Sequence, residues 1–168
     1  MDKIHVFNQF VSDDDCDLMV AEYNYMFDKF RKVADNRLLY HFNNDEFIKT
    51  FLHKYMPKLN KLLQAEYYPR EVMLSIYKEG SFLNPHVDYI NGDYWHNLGA
   101  LFYFNDNFNG GELYFTKKDK SFKPQKGSVI VFPCNQKEYT HGVNEITSGI
   151  RYTMPVEISL NVSQSLKY

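Results

Sequence analysis

After Pro69 the chain becomes a series of short runs rich in β-branched and aromatic residues. They are EVMLSIY from Glu71, LGALFYF from Leu98, GELYF from Gly111, GSVIVF from Gly127, YTHGV from Tyr139 and RYTMPVEISL from Arg151. Gly, Pro, Asn and Asp punctuate them, as turns require. Short strands bury their apolar faces only when several pack as sheets, so this half of the chain reads as a sandwich or jelly roll. Aromatic residues make up 17% of the chain, with 14 Tyr and 14 Phe, enough large side chains to fill such an interior.

The first 70 residues read as mostly helical. HVFNQFV forms a short opening strand, and Ser12 ahead of Asp13, Asp14 and Asp15 is an N-cap with acids in the first turn. Leu18, Met19, Met26, Phe27 and Phe30 follow at helical spacing and are expected in the core. A second helix is predicted from near Asn44, with Phe47, Ile48, Phe51, Leu52 and Tyr55 on one face. Pro57 is expected to kink or restart it before Leu59, Leu62 and Leu63. No repeat, linker or low-complexity stretch interrupts the 168 residues. The expectation is one α+β, β-dominated domain: a jelly roll (double-stranded β-helix) over about 70–160, with helical support over about 12–66 packed on one sheet.

Net charge is -2 with no acidic or basic block, so no nucleic-acid footprint is expected. No stretch approaches the roughly 20 apolar residues of a membrane span. The start, MDKIHVFNQF, lacks a basic region followed by an apolar run, and Cys16 and Cys134 read as reduced thiols, so a cytoplasmic location is expected. Asn161-Val162-Ser163 matches a glycosylation acceptor and reads as chance. Oligomeric state is left open.

His86 and Asp88 stand two apart, and residues i and i+2 of a strand share a face. Alone, the pair is more often a surface feature than a metal site. His141, in EYTHGVNEI, supplies a third ligand type. Two imidazoles and one carboxylate make a facial triad, which holds Fe(II) and leaves three positions open. Arg151 follows ten residues later, and a hairpin would return it towards His141. Its guanidinium suits the far carboxylate of a dicarboxylate such as 2-oxoglutarate. A zinc-binding jelly-roll module without catalysis is the rival reading, disfavoured because structural zinc usually takes four ligands.

The set H-x-D, then His141, then Arg151 resembles the Fe(II)/2-oxoglutarate dioxygenases. The stretches SIYKEGSFLNPHVD, LFYFND, GGELYF, PQKGSVIVFP and HGVNEITSGIRYT are similar to the prolyl 4-hydroxylase branch over about 72–158. The resemblance implies that His86, Asp88 and His141 bind iron and that Arg151 pairs with 2-oxoglutarate. Many relatives in that branch have Lys at this position. It also implies cosubstrate contacts for Tyr77 and Tyr103 and an assisting hydroxyl on Thr153. The implied chemistry consumes 2-oxoglutarate and dioxygen, releases succinate and carbon dioxide and hydroxylates an unactivated C–H bond, with ascorbate as a reductant. A prolyl residue in a peptide or protein is the implied substrate; a free amino acid or other small molecule is the alternative. Trp95 and His96, on the loop YINGDYWHN, are placed at the substrate entrance or on the packed surface. His5, His41 and His53 have no partner at ligand spacing.

Overall fold

The computed structural model describes residues 3–88, 97–160 and 166. Trp95, His96 and the Asn161-Val162-Ser163 triplet lie outside the described residues. The chain begins with β1 (His5–Phe7), α1 (Asp13–Tyr25), β2 (Arg31–Lys32), β3 (Leu38–His41) and α2 (Glu46–Leu63). Then come β4 (Tyr68–Tyr77), β5 (Leu83–His86), β6 (Asn97–Tyr103), β7 (Asn109–Gly110), β8 (Leu113–Phe115) and β9 (Lys120–Phe122). β10 (Val129–Phe132), β11 (His141–Val143), β12 (Ile146–Ser148) and β13 (Arg151–Ser159) complete it. A seven-stranded sheet runs β1-β10-β6-β13-β4-β3-β2, and a four-stranded sheet runs β5-β11-β8-β9. A two-stranded sheet joins β12 to β7. The result is a β-dominated double-stranded β-helix with the helices on one face.

The period of two along each strand divides the core. Val72, Leu74 and Ile76 of β4, Ala100 and Phe102 of β6, and Met154, Val156 and Ile158 of β13 pack against the helices. The helices answer with Cys16, Met19 and Tyr23 from α1 and Ile48, Phe51, Leu52, Tyr55 and Leu59 from α2. The alternate residues face the other way. Tyr77, Tyr103, Ile130 and Phe132 join Leu113, Phe115 and Val143 of the smaller sheet in a second cluster. The interior between the sheets is therefore separate from the helix-facing core, and its unfilled part is where chemistry can sit.

Ser12 caps α1 as expected: its Oγ accepts a hydrogen bond from the Asp15 N–H at 3.3 Å. Three readings of the first half need correction. Residues 31–41, inside the stretch read as mostly helical, form two strands joined by a 3-10 turn at Ala34–Asn36: β2 and β3 extend the large sheet, with Leu38 and Tyr40 packing on the helix core while Leu39 faces inward. That alternation of period two outweighs helix propensity. The stripe assigned to α1 is also wrong in part, because Leu18 is exposed and the helix ends before Phe27 and Phe30. Cys16, Met19 and Tyr23 form the buried face at spacings of three and four. Finally, α2 runs unbroken through Pro57. Pro57 lies on its exposed face, where water can take up the carbonyl left without a donor.

Gly142, in the middle of β11, shows how tightly the small sheet is built. A Cβ there would stand 2.5 Å from the Tyr114 hydroxyl oxygen and 2.6 Å from the Leu83 carbonyl oxygen. Gly142→Ala is therefore expected to destabilise the protein by about 1–3 kcal/mol, the usual cost of overpacking. Urea denaturation checks it; an unchanged midpoint would show that β5 can move aside.

Candidate active site

The end of β5 and the start of β11 meet in register, with His86 opposite His141. Asp88 lies two residues beyond β5, and its backbone N–H donates to the Cys134 carbonyl at 2.8 Å. The pairing of His86 with Asp88 thus arises from a strand end and a tethered coil, not from two positions of one strand as the spacing predicts. Their ligand atoms and those of His141 all lie within 4.8 Å of one another. His86 Nε2 is 3.1 Å from Asp88 Oδ1, and His141 Nε2 is 3.7 Å from Asp88 Oδ2.

Each imidazole is oriented from behind. His86 Nδ1 lies 2.9 Å from the Asn84 carbonyl oxygen, and His141 Nδ1 lies 3.0 Å from that of Tyr139. A carbonyl can only accept, so Nδ1 donates in both rings. In the neutral rings the Nε2 lone pairs are then free for a cation. Phe132 packs edge-on against His141 with ring centroids 4.6 Å apart, which restricts that ring further.

The two imidazoles are electrostatically unlike. Burial pulls His86 down, but its hydrogen bond to Asp88, the Asn84 carbonyl and the Asp88 charge outweigh it and hold His86 above the ordinary imidazole value. Burial dominates at His141 and, despite the Asp88 charge, holds it below that value.

These side chains open onto a cavity of about 370 Å³ between the sheets. Arg151, Thr153, Tyr77, Ser75 and Leu113 also line it. Arg151 is 1% exposed, yet its Nε and Nη1 have no hydrogen-bond partner among the described residues. Nη2 donates to the Tyr103 hydroxyl at 3.3 Å. The guanidinium carbon sits 4.5 Å from the Tyr77 ring centroid and 5.1 Å from that of Tyr103. Burial pushes the Tyr103 hydroxyl up, so it remains a donor at neutral pH. Arg151 does not reach the cavity by a hairpin from His141: β11 pairs with β5 and β8, while β13 pairs with β4 and β6. The two residues approach from opposite sheets.

A buried guanidinium with two unsatisfied donors is costly unless an anion completes it. Arg151 and Tyr103 therefore fit a carboxylate. The His86, Asp88 and His141 donor set fits a divalent cation with open positions. Sequence reasoning gave no role to the Cys134 carbonyl, which tethers Asp88, or to Glu157, which lines the same cavity. Backbone tethers leave no sequence signal. The alternation Arg151, Thr153, Pro155, Glu157 along one strand does.

The chain is similar to several known proteins. Mouse (Mus musculus) prolyl 3-hydroxylase 2 is 39% identical over 67 residues, a match covering 37% of this chain and 9% of that protein. The chain thus spans only a small part of the curated relatives it matches. Viral collagen prolyl hydroxylase from Paramecium Bursaria Chlorella virus-1, solved as a 2OG complex, shares the fold with a TM-score of 0.72 at 21% identity, covering 94% of this chain and 96% of that one. A Pseudomonas putida prolyl-4-hydroxylase gives a TM-score of 0.76 at 17% identity, covering 96% and 94%. The sequence model of the 2OG-Fe(II) oxygenase superfamily matches residues 72–156, the span that holds both imidazoles, Asp88 and Arg151, and the chain belongs to that superfamily.

Proposed function

We propose that this oxygenase hydroxylates a prolyl residue of a peptide or protein, with iron held by His86, Asp88 and His141 and 2-oxoglutarate held by Arg151. One observation carries the site assignment: the only described group of three metal-ligating side chains shares its cavity with a buried arginine that lacks two partners. The prolyl assignment is supported by the names of similar proteins from a mouse, a virus and a bacterium.

Bound Fe(II) would supply the oxidising chemistry, in which 2-oxoglutarate and dioxygen give succinate and carbon dioxide and a substrate C–H becomes C–OH. The chain's residues do the positioning. Nε2 of His86, Nε2 of His141 and a carboxylate oxygen of Asp88 would hold the iron. Arg151 presents Nε and Nη1 to the far carboxylate, and the Tyr103 hydroxyl accepts from Nη2 while keeping its own proton for that carboxylate. Tyr77 shields the guanidinium from water, and Thr153 adds a wall at the same end. At Arg151, which is buried, the low local dielectric strengthens these contacts.

An anaerobic titration with Fe(II) and 2-oxoglutarate, followed by succinate assays with prolyl peptides in the presence of ascorbate, tests the proposal. Succinate formation raised by prolyl peptides, with hydroxyproline in the product, is the expected result. Stimulation by free amino acids alone would reassign the substrate.

Metal affinity should fall in acid, and His86 should set where. A raised value means that His86 holds its proton to higher pH than a free imidazole, so metal must displace that proton first. His141, with a lowered value, stays neutral further into acid. Apparent Fe(II) affinity is therefore expected to be constant in mild alkali and to begin falling above the ordinary imidazole value, near 6.5. Competition with a fluorescent chelator across pH measures this. An onset only in the carboxylate range would show that the pairing of His86 with Asp88 does not persist in solution.

A further inference from the structure

β13 carries a second acid-base feature at the far end of the same cavity. Its inward positions are Arg151, Thr153, Pro155 and Glu157. Arg151 and Glu157 are six residues apart, about 20 Å along the strand. If Arg151 takes the cosubstrate, the Glu157 end is left for the molecule to be hydroxylated. His86, Asp88 and His141 line the same cavity from the side of the smaller sheet.

Glu157 is unusual there. Its side chain is 9% exposed, and among the described residues Oε1 has no hydrogen-bond partner. Arg70 Nη1 is 3.9 Å away, an ion pair too long for a hydrogen bond, and that nitrogen also has no hydrogen-bond partner among the described residues. The register explains the arrangement. Glu157 opposes Glu71 and Ile158 opposes Pro69, so Arg70 is the extra residue of a bulge. Bulges re-aim side chains, and this one brings Arg70 alongside Glu157 without closing the contact. On the other neighbouring strand Glu157 opposes Gly99. A Cβ on Gly99 would stand 3.1 Å from Cys134 Cβ, so the glycine keeps this part of the cavity open. Burial, opposed by Arg70 and reinforced by Glu71 and Asp88, pushes the Glu157 carboxyl up to about 7. An acceptor under that strain gains from a donor.

We propose that Glu157 is a specificity-determining residue for the organic substrate, its carboxylate accepting a hydrogen bond from an N–H that the substrate carries near the carbon to be hydroxylated. The N–H is a peptide amide or a protonated amine. This rests on the oxygenase reading of the same cavity. Glu71 lines the cavity too, so a second anion beside Glu157 would meet two carboxylates, and a donor is favoured.

The test uses the full chain loaded with Fe(II) and 2-oxoglutarate under nitrogen. Isothermal titration measures binding of acetyl-Gly-Pro-Gly-amide, free L-proline and free L-lysine to wild type, Glu157→Gln and Glu157→Ala. Succinate is assayed after admitting air. At least one probe should bind wild type, and Glu157→Ala should weaken it about 10- to 100-fold, the range for a lost hydrogen bond to a charged group. Affinity for 2-oxoglutarate, measured separately, should change far less, which a general loss of structure would not allow. Glu157→Gln separates the sources: it keeps an acceptor for a peptide N–H, but it loses the charge that a protonated amine needs. The proposal is overturned if Glu157→Ala binds the probes as wild type does, or if none of the three binds wild type. Failure of the oxygenase reading looks different: wild type would not bind 2-oxoglutarate at all.

Discussion

Arg151→Met is expected to give a protein that is more heat-stable than wild type without cosubstrate and that no longer gains stability from 2-oxoglutarate. Arg151 is buried with two unsatisfied donors, and each such group costs about 1–3 kcal/mol. Methionine keeps the aliphatic bulk against Tyr77 and Tyr103 and removes the charge. Against that gain stands one lost hydrogen bond to Tyr103, worth about 1 kcal/mol. The net gain should be about 1–5 kcal/mol, or some 2–20 °C in Tm for a chain of this size. Affinity for 2-oxoglutarate should fall by about 30-fold or more, since losing one partner of a buried charge pair costs about 2–5 kcal/mol. Differential scanning fluorimetry of the metal-loaded protein, with and without 2-oxoglutarate, reads both effects. A less stable variant that still responds to 2-oxoglutarate would make Arg151 a structural residue and move the cosubstrate elsewhere.

The same arginine shows what the sequence discloses and what it withholds. The strands were legible because their turns are marked by Gly, Pro and Asn and their apolar positions alternate. The candidate site was legible because His86, Asp88, His141 and Arg151 recur at a spacing that resembles a known family. Their geometry was less so. Asp88 reaches His86 through a backbone tether to Cys134, and Arg151 meets His141 across two sheets. Both depend on contacts between residues far apart in the chain. The strands at 31–41 were missed because two-residue and four-residue strands carry too little pattern to compete with the helical stretches on either side. Glu157 was readable as the fourth inward residue of β13. It passed unnoticed because Arg151 and Thr153 mark the inward face but nothing in the strand tells how far along it the cavity reaches.

Asp88→Ala should lower succinate formation at least about 10³-fold, and the double variant Asp88→Ala/His141→Ala should be little worse. Ligands that act as one unit lose their effect together, so their losses do not add. Asp88 is the single carboxylate of the three and lies within 3.7 Å of both imidazoles. Its removal also has a consequence independent of metal. The hydrogen bond and charge that hold His86 up are gone, while the burial that pulls it down remains. His141 loses the one charge that opposes its burial. Both imidazoles should therefore titrate at lower pH in the variant than in metal-free wild type. NMR titration of the two rings reads this in a folded protein and separates loss of the carboxylate from loss of the fold. If activity vanishes but neither imidazole moves, Asp88 acts through the backbone bend that it anchors on Cys134. Its carboxylate would then not be the metal's third ligand. If both rings move and iron binding is lost with activity, the triad is the catalytic centre.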